Sequence, residues 1–366
     1  MTVHTEILLI AIAVSIACAI PGVFLVLRRM SMMADAITHT VFLGIVLAFF
    51  VTEDLNSPLL LVGATLVGVG TVWLTEMIHN TGLVNEDASI GIIFPLLFSI
   101  AIILVSLYSG NAHLDVDTAL LGEIAFAPFD RWIVNGTDLG PVSLWISLGV
   151  AFINLVLVML FYKELQLSTF DPLLAGLFGF MPAFIHYVLM TMVSLTVVAS
   201  FQAVGAILVI GLMIGPAVIA YLWTDSVKAM LISSIIIGII CAVIGTEVAF
   251  TLDISIAGAI ATTIGLALLI AVICTPKTGY IATYRRQRHL RRHYRETMML
   301  CHIYTHMNTP VAAIENGIGT IHEHLNWKPD YTHQAASHLK KQGLLYVTNG
   351  YYMLTDKGVA QVKEII

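Results

Sequence analysis

Between residues 7 and 273 the chain is a series of apolar runs about twenty residues long, interrupted by short polar breaks. A helix needs roughly 20 mostly apolar residues to cross a hydrocarbon core about 30 Å thick. The runs predict spans at 7–27, 30–51, 58–78, 88–108, 142–161, 182–201, 202–223, 227–250 and 254–273, or eight spans if one is broken or re-entrant. After residue 273 the pattern changes. Helical periodicity returns at 297–307, and a second helix is expected near Val311 after Asn308-Thr309-Pro310. A third is expected over 330–342, ending at Gly343. Leu344 to Val347 and Tyr351 to Leu354 then read as two short strands joined by a turn at Asn349-Gly350.

Composition agrees with the pattern. Of 366 residues 58% are hydrophobic and 11% charged, against about 25% charged in a soluble domain, and the mean hydropathy is +0.91. A water-soluble globule is excluded. The first run has no basic residue before it and is followed by Arg28 and Arg29, so it is expected to remain as a span rather than be cleaved. The four cysteines show no CxxC spacing and read as small packing residues.

With nine spans, Arg28, Arg29, Lys163, Lys228 and the basic run from Arg285 fall on one side of the membrane. Positive charge near span ends marks the cytoplasm, which predicts an outer N-terminus and a cytoplasmic C-terminus. Arg131 then lands outside, against the trend. The segment 285–295 holds six arginines. It reads as a juxtamembrane stop in contact with anionic lipid, with nucleic-acid contact as the alternative.

One span carries unusual chemistry. Asp35 and His39 lie inside an apolar run, where an Asp near the helix centre costs roughly 2.5–3.5 kcal/mol. Such residues usually face an interior path. Four apart, they share a helix face. Counted from Met30 at about 1.5 Å per residue, Asp35 lies about 7 Å and His39 about 13 Å into the core. A carboxylate with an imidazole suits manganese, iron or zinc, whereas magnesium and calcium prefer an all-oxygen site. Further ligands would come from a symmetry-related subunit, from water or from Glu247, another acidic residue within an apolar run. The bland alternative is that Asp35 snorkels to the interface and His39 bonds a backbone carbonyl.

Several segments carry a resemblance. They are Leu27-Arg28-Arg29-Met30-Ser31 with Asp35 and His39, Glu86-Asp87-Ala88-Ser89-Ile90-Gly91-Ile92, His113-Leu114-Asp115, Phe170-Asp171-Pro172, Gln202-Ala203-Val204-Gly205, Gly215-Pro216-Ala217, and Asp253 with Gly258-Ala259. From about residue 21 to 273 the chain resembles the ABC permeases that import zinc, manganese and iron. The resemblance implies a core of two permeases, driven by two cytoplasmic ATPases and fed by an extracytoplasmic metal-binding lipoprotein at a bacterial inner membrane. Asp35 and His39 match the family's intramembrane metal-contacting positions. The bulky Thr40-Val41-Phe42-Leu43 departs from many relatives.

Two loops extend this reading. Between spans, Asp171 before Pro172 is a helix start signal, and the segment with Ala175 and Gly179 is expected to lie on the membrane as the coupling helix that docks into the ATPase, or to be an ordinary turn. His113 and Asp115 are expected on the outer side, as a relay for metal or a solvated acidic loop.

The C-terminal residues Ala336, Leu339, Lys340, Lys341, Gly343, Leu344, Tyr351, Leu354, Thr355, Lys357 and Gly358 resemble the winged helix-turn-helix domain of metal-responsive bacterial repressors. From Thr297 onward five lysines are balanced by five acidic residues, whereas a DNA-reading face clusters positive charge. Docking to protein is therefore expected ahead of DNA. Eight of thirteen histidines lie from His289 onward, with His302 and His306 on one helix face and His322, Glu323 and His324 beyond. They are surface histidines or a regulatory metal site.

The expected fold is an all-α polytopic membrane domain at 1–284, a basic linker at 285–296 and a small winged-helix domain at 297–366. No GxxxxGK[ST] phosphate loop occurs, so energy must come from an ATPase partner. The chain is not expected to be an enzyme, to have catalytic residues or to hold a permanent cofactor. Two alternatives are a permease for a metal chelate and a permease fused to a transcriptional repressor.

Overall fold

Among the residues described by the computed structural model, 2–53, 57–108, 124–134, 137–275 and 279–365, nine helices are long and apolar enough to cross a membrane. The chain divides into two compact units, Met1–Thr275 and Pro276–Ile366.

The first unit holds α1 (Val3–Leu27), α2 (Ser31–Thr52), α3 (Pro58–His79) and α4 (Glu86–Tyr108). A two-stranded antiparallel hairpin follows, β1 (Arg131–Val134) with β2 (Thr137–Pro141). Then come α5 (Val142–Leu160), the short α6 (Tyr162–Phe170) and α7 (Pro172–Leu177), and the spans α8 (Pro182–Val204), α9 (Ala206–Trp223), α10 (Val227–Leu252) and α11 (Ile256–Cys274).

Among the described residues nine candidate spans are found rather than eight, with one junction moved. The break between the sixth and seventh lies at Gly205, three residues later than expected. Its φ of 79° is a left-handed conformation that glycine adopts without a Cβ penalty, so the helix ends there despite unbroken hydrophobicity.

Enclosed α1 forms the centre and packs against α5, α8, α9 and α10, while α4 is largely exposed. Lipid offers little hydrophobic drive between helices, so close approach of backbones matters. A Cβ on Gly22 would stand 1.9 Å from the Met213 carbonyl oxygen, and one on Gly245 would stand 2.5 Å from Ile260 Cα. Larger residues at these crossings would force α1 from α9 and α10 from α11.

At the end of the bundle where α1 begins, buried Glu6 receives both Nη groups of Arg131, at 3.2 and 3.1 Å. Arg131 Nε also lies 2.6 Å from Asp138 on β2. The arginine that ran against the charge trend is thus neutralised by two carboxylates.

The second unit is α12 (Tyr280–His306), short α13 (Ala312–Glu315) and α14 (Ile321–His324), then α15 (Pro329–Lys341), a hairpin of β3 (Leu345–Thr348) and β4 (Tyr351–Leu354), and α16 (Asp356–Ile365). The basic run lies inside α12, which continues unbroken through the expected linker to His306. The helix expected near Val311 is a single turn. Asn349 and Gly350 at φ 50° and 84° make the tight turn that matches strand twist. Met299, Leu300, Ile303, Ile321, Leu339, Leu345, Tyr352, Leu354 and Val362 form this unit's own core.

Candidate functional site

Asp35 and His39 stand one turn apart on α2, with His39 Nε2 3.6 Å from Asp35 Oδ1. That exceeds a hydrogen bond, so neither atom is consumed by the other. Ligand bonds of about 2.1 Å at tetrahedral angles would place two donor atoms about 3.4 Å apart. The pair therefore stands close to the spacing that one shared ion requires.

Neighbouring residues fix this face. Ala34, Ala36 and Ile37 are buried on the other side of α2, and Gly44 lets α2 approach Gly63 and Ala64 of α3. Phe94 and Phe98 of α4 flank the imidazole, at ring separations of 5.5 and 6.0 Å. Bulky Phe42 packs at a tilt against Phe98, and Thr40 accepts a 2.8 Å hydrogen bond from Thr71. The departure from smaller residues thus serves α3 and α4. Asp35 and His39 remain 39% and 31% exposed on this chain, so the pair opens outward from the single chain.

On α4, Glu86 is half-buried, with Oε1 enclosed and without a hydrogen-bond partner among the described residues. Because α2 and α4 run in the same direction and Phe94 stands beside His39, Glu86 lies about 6 Å along the bundle from Asp35, towards the Arg28 end.

Other expected residues are placed differently. Glu247 is exposed on α10 and lies 3.4 Å from His4 Nε2, joined to the start of α1 rather than to Asp35 and His39. His113 and Asp115 lie outside the described residues. Asp171 caps α7, its Oδ1 accepting from Leu174 N–H at 2.9 Å, with Pro172 in the first turn. Ala175 is buried, and Gly179 at φ 84° turns the chain back. Phe170, Leu173, Leu177 and Phe178 are exposed around α7, an apolar knob suited to a protein cleft.

A polar network ties this segment to the spans. Arg28 donates to Ser168 Oγ at 2.9 Å, to Thr169 Oγ1 at 3.1 Å and to His186 Nδ1 at 3.2 Å. Burial pulls Arg28 down to about 10, still well above neutrality, so it remains a cation. A guanidinium only donates. His186 Nδ1 must therefore accept, which leaves the ring proton on Nε2, 2.7 Å from Glu76 Oε1. Tyr187 O–H donates to Glu76 Oε2 at 2.7 Å. Sequence reasoning passed over Glu76 and His186, although each is an ionisable residue within an apolar run, the same signal that marked Asp35.

Comparison with known proteins places this geometry in context. The profile of the ABC 3 transport family matches residues 2–275. The chain is 40% identical over 356 residues to the zinc transport system membrane protein TroD of Treponema pallidum, a match covering 97% of this chain and 96% of that protein. It is 43% identical over 281 residues to the manganese transport system membrane protein MntD of Bacillus subtilis, covering 77% of this chain and 95% of that one. Among solved structures, PsaBC from Streptococcus pneumoniae in complex with Fab is similar with a TM-score of 0.65 and 29% identity, over 78% of this chain and 96% of that chain.

Proposed function

The chain belongs to the ABC 3 transport family and is a membrane permease of a metal ABC importer, a transport component and not an enzyme; from that premise we propose that manganese, zinc or iron passes through it by way of Asp35 and His39. The 3.6 Å separation of their donor atoms carries the reading. Two ligands do not complete a transition-metal shell, and the outward opening of the pair supports completion by water and by a second permease. Glu86 offers a further carboxylate towards the Arg28 end. A bulky chelate would need a wide uncharged path, which this pair does not provide.

In this reading the N-terminus is extracytoplasmic and the C-terminus cytoplasmic at a bacterial inner membrane. A metal-binding lipoprotein delivers ions to the outer end, and a separate ATPase docks on the exposed apolar face of α7. Arg28 links α6 to the junction between α1 and α2, seven residues before Asp35, so a push on α6 and α7 reaches the helix that holds the ion. The order of α15, the Asn-Gly hairpin and α16 supports a winged helix in the second unit. From Thr297 onward its five lysines are balanced by five acidic residues, which favours a protein surface as partner over an operator DNA.

Uptake of radiolabelled manganese and zinc by cells carrying Asp35→Ala or His39→Ala should fall to background while the complex still assembles and hydrolyses ATP. Wild-type uptake in both variants would remove the site.

A further inference from the structure

The second unit gathers metal-ligating side chains apart from the transport path. His302 and His306, on the last turns of α12, and Glu315, at the end of α13, each offer one donor atom within 4.8 Å of the others. The two imidazoles lie 4.8 Å apart between ring centres, the separation that an i, i+4 pair on one helix face provides. His302 Nε2 lies 3.2 Å from the Glu315 carbonyl oxygen. A carbonyl only accepts, so Nε2 carries the ring proton and Nδ1 keeps its lone pair for a ligand. His324 Nδ1 lies 3.0 Å from Glu315 Oε2, which leaves Oε1 free. Metal-binding histidines and carboxylates are held in this manner by partners on their far side.

We propose that His302, His306 and Glu315 form a second divalent-metal site, one that binds zinc in preference to manganese. Two imidazoles and one carboxylate are a borderline donor set, and zinc stands above manganese in affinity for such sites. Three protein ligands leave one position for water, so the ion exchanges rather than serving as a permanent staple. The site adjoins a clamp on the hairpin. Asn316, next to Glu315, donates its side-chain N–H to the Ile303 carbonyl of α12, and its own carbonyl accepts from Tyr352 N–H on β4 at 2.9 Å. Zinc occupancy would draw α12 and the α13 segment together and tighten that clamp, giving the unit a means to register metal concentration. The site does not depend on Asp35 and His39.

The test uses the full chain, purified with Asp35→Ala and His39→Ala already in place, and measures zinc by equilibrium dialysis. About one zinc ion per chain should remain, and adding His302→Gln and His306→Gln should weaken it at least about tenfold. Glu315→Gln should weaken it with less risk to folding, while His293→Gln with His333→Gln, both exposed and outside the cluster, should leave it unchanged. X-ray absorption of the zinc-loaded chain should show imidazole scattering. Unaltered affinity in the His302→Gln, His306→Gln chain, loss on changing His293 and His333 instead, or zinc without imidazole scattering would each overturn the proposal.

Discussion

The outer face of α10 in the membrane unit is Ile232, Ile236, Ile240 and Ile244, whereas that of α15 in the C-terminal unit is His333, Gln334, Ser337, Lys340 and Lys341. Their inner faces are closer in kind, since α10 also buries Met230, Ala242 and Ala249 and α15 also buries Thr332. α10 hides Ser234 and Thr246 beside Gly238 and Cys241, while α15 hides Ala335, Ala336 and Leu339. Each helix turns towards its surroundings what those surroundings dissolve. An ionisable group in the membrane unit is therefore costly unless it is paired or facing a path, and the Arg28 network and the Asp35 and His39 pair fit those two cases. In the second unit a histidine needs no such excuse, and only the convergence of His302, His306 and Glu315 distinguishes them from their neighbours.

The sharpest way to break this contrast, after loss of the metal pair itself, is Arg28→Lys. Lysine keeps the charge but has no planar fork, so it cannot hold Ser168, Thr169 and His186 together. Losing one or two such bonds is worth about 1–3 kcal/mol, and transport per ATP hydrolysed should fall roughly tenfold in proteoliposomes. An unchanged ratio would detach α6 and α7 from the metal path.

A smaller effect is expected in the second unit. Gly350→Ala places a side chain at a left-handed turn position and should cost about 1–2 kcal/mol, read as faster hydrogen exchange in β3 and β4. Transport should be untouched. Slower transport would show that the hairpin belongs to the working pathway.

The smallest effect concerns the hairpin of β1 and β2. Asp138 is held below the ordinary aspartate value, first by the Gly140 N–H and then, against some desolvation, by Arg131. A depressed carboxylate contributes stability above its unfolded pKa and loses it as pH falls through the folded one. Protease nicking of the hairpin should therefore stay flat as pH falls to the ordinary aspartate value and rise only below it. A rise near neutral pH would exclude this pairing.

Much of this was legible before any coordinates. Apolar runs show spans because lipid penalises every unpaired polar group, and Asp35 with His39 shows as a spacing because both sit on one helix. Less local features were not legible. Glu76 and His186 meet across 110 positions and belong to different helices, and Glu315 reaches His302 only because α13 folds back on α12. The start of α12 was hidden for another reason. Arginines are good helix formers, yet a dense basic run reads more readily as a linker than as a helix. The break at Gly205 rests on one backbone angle that hydrophobicity does not encode.

The central claim is that a cation dehydrates onto Asp35 and His39 on its way through the bundle. ATP-driven accumulation of zinc and manganese, measured beside ATP hydrolysis in proteoliposomes holding the complex with Asp35→Asn, tests it most directly. Continued hydrolysis with no accumulation of either ion is the predicted result, and accumulation at the wild-type rate would contradict it.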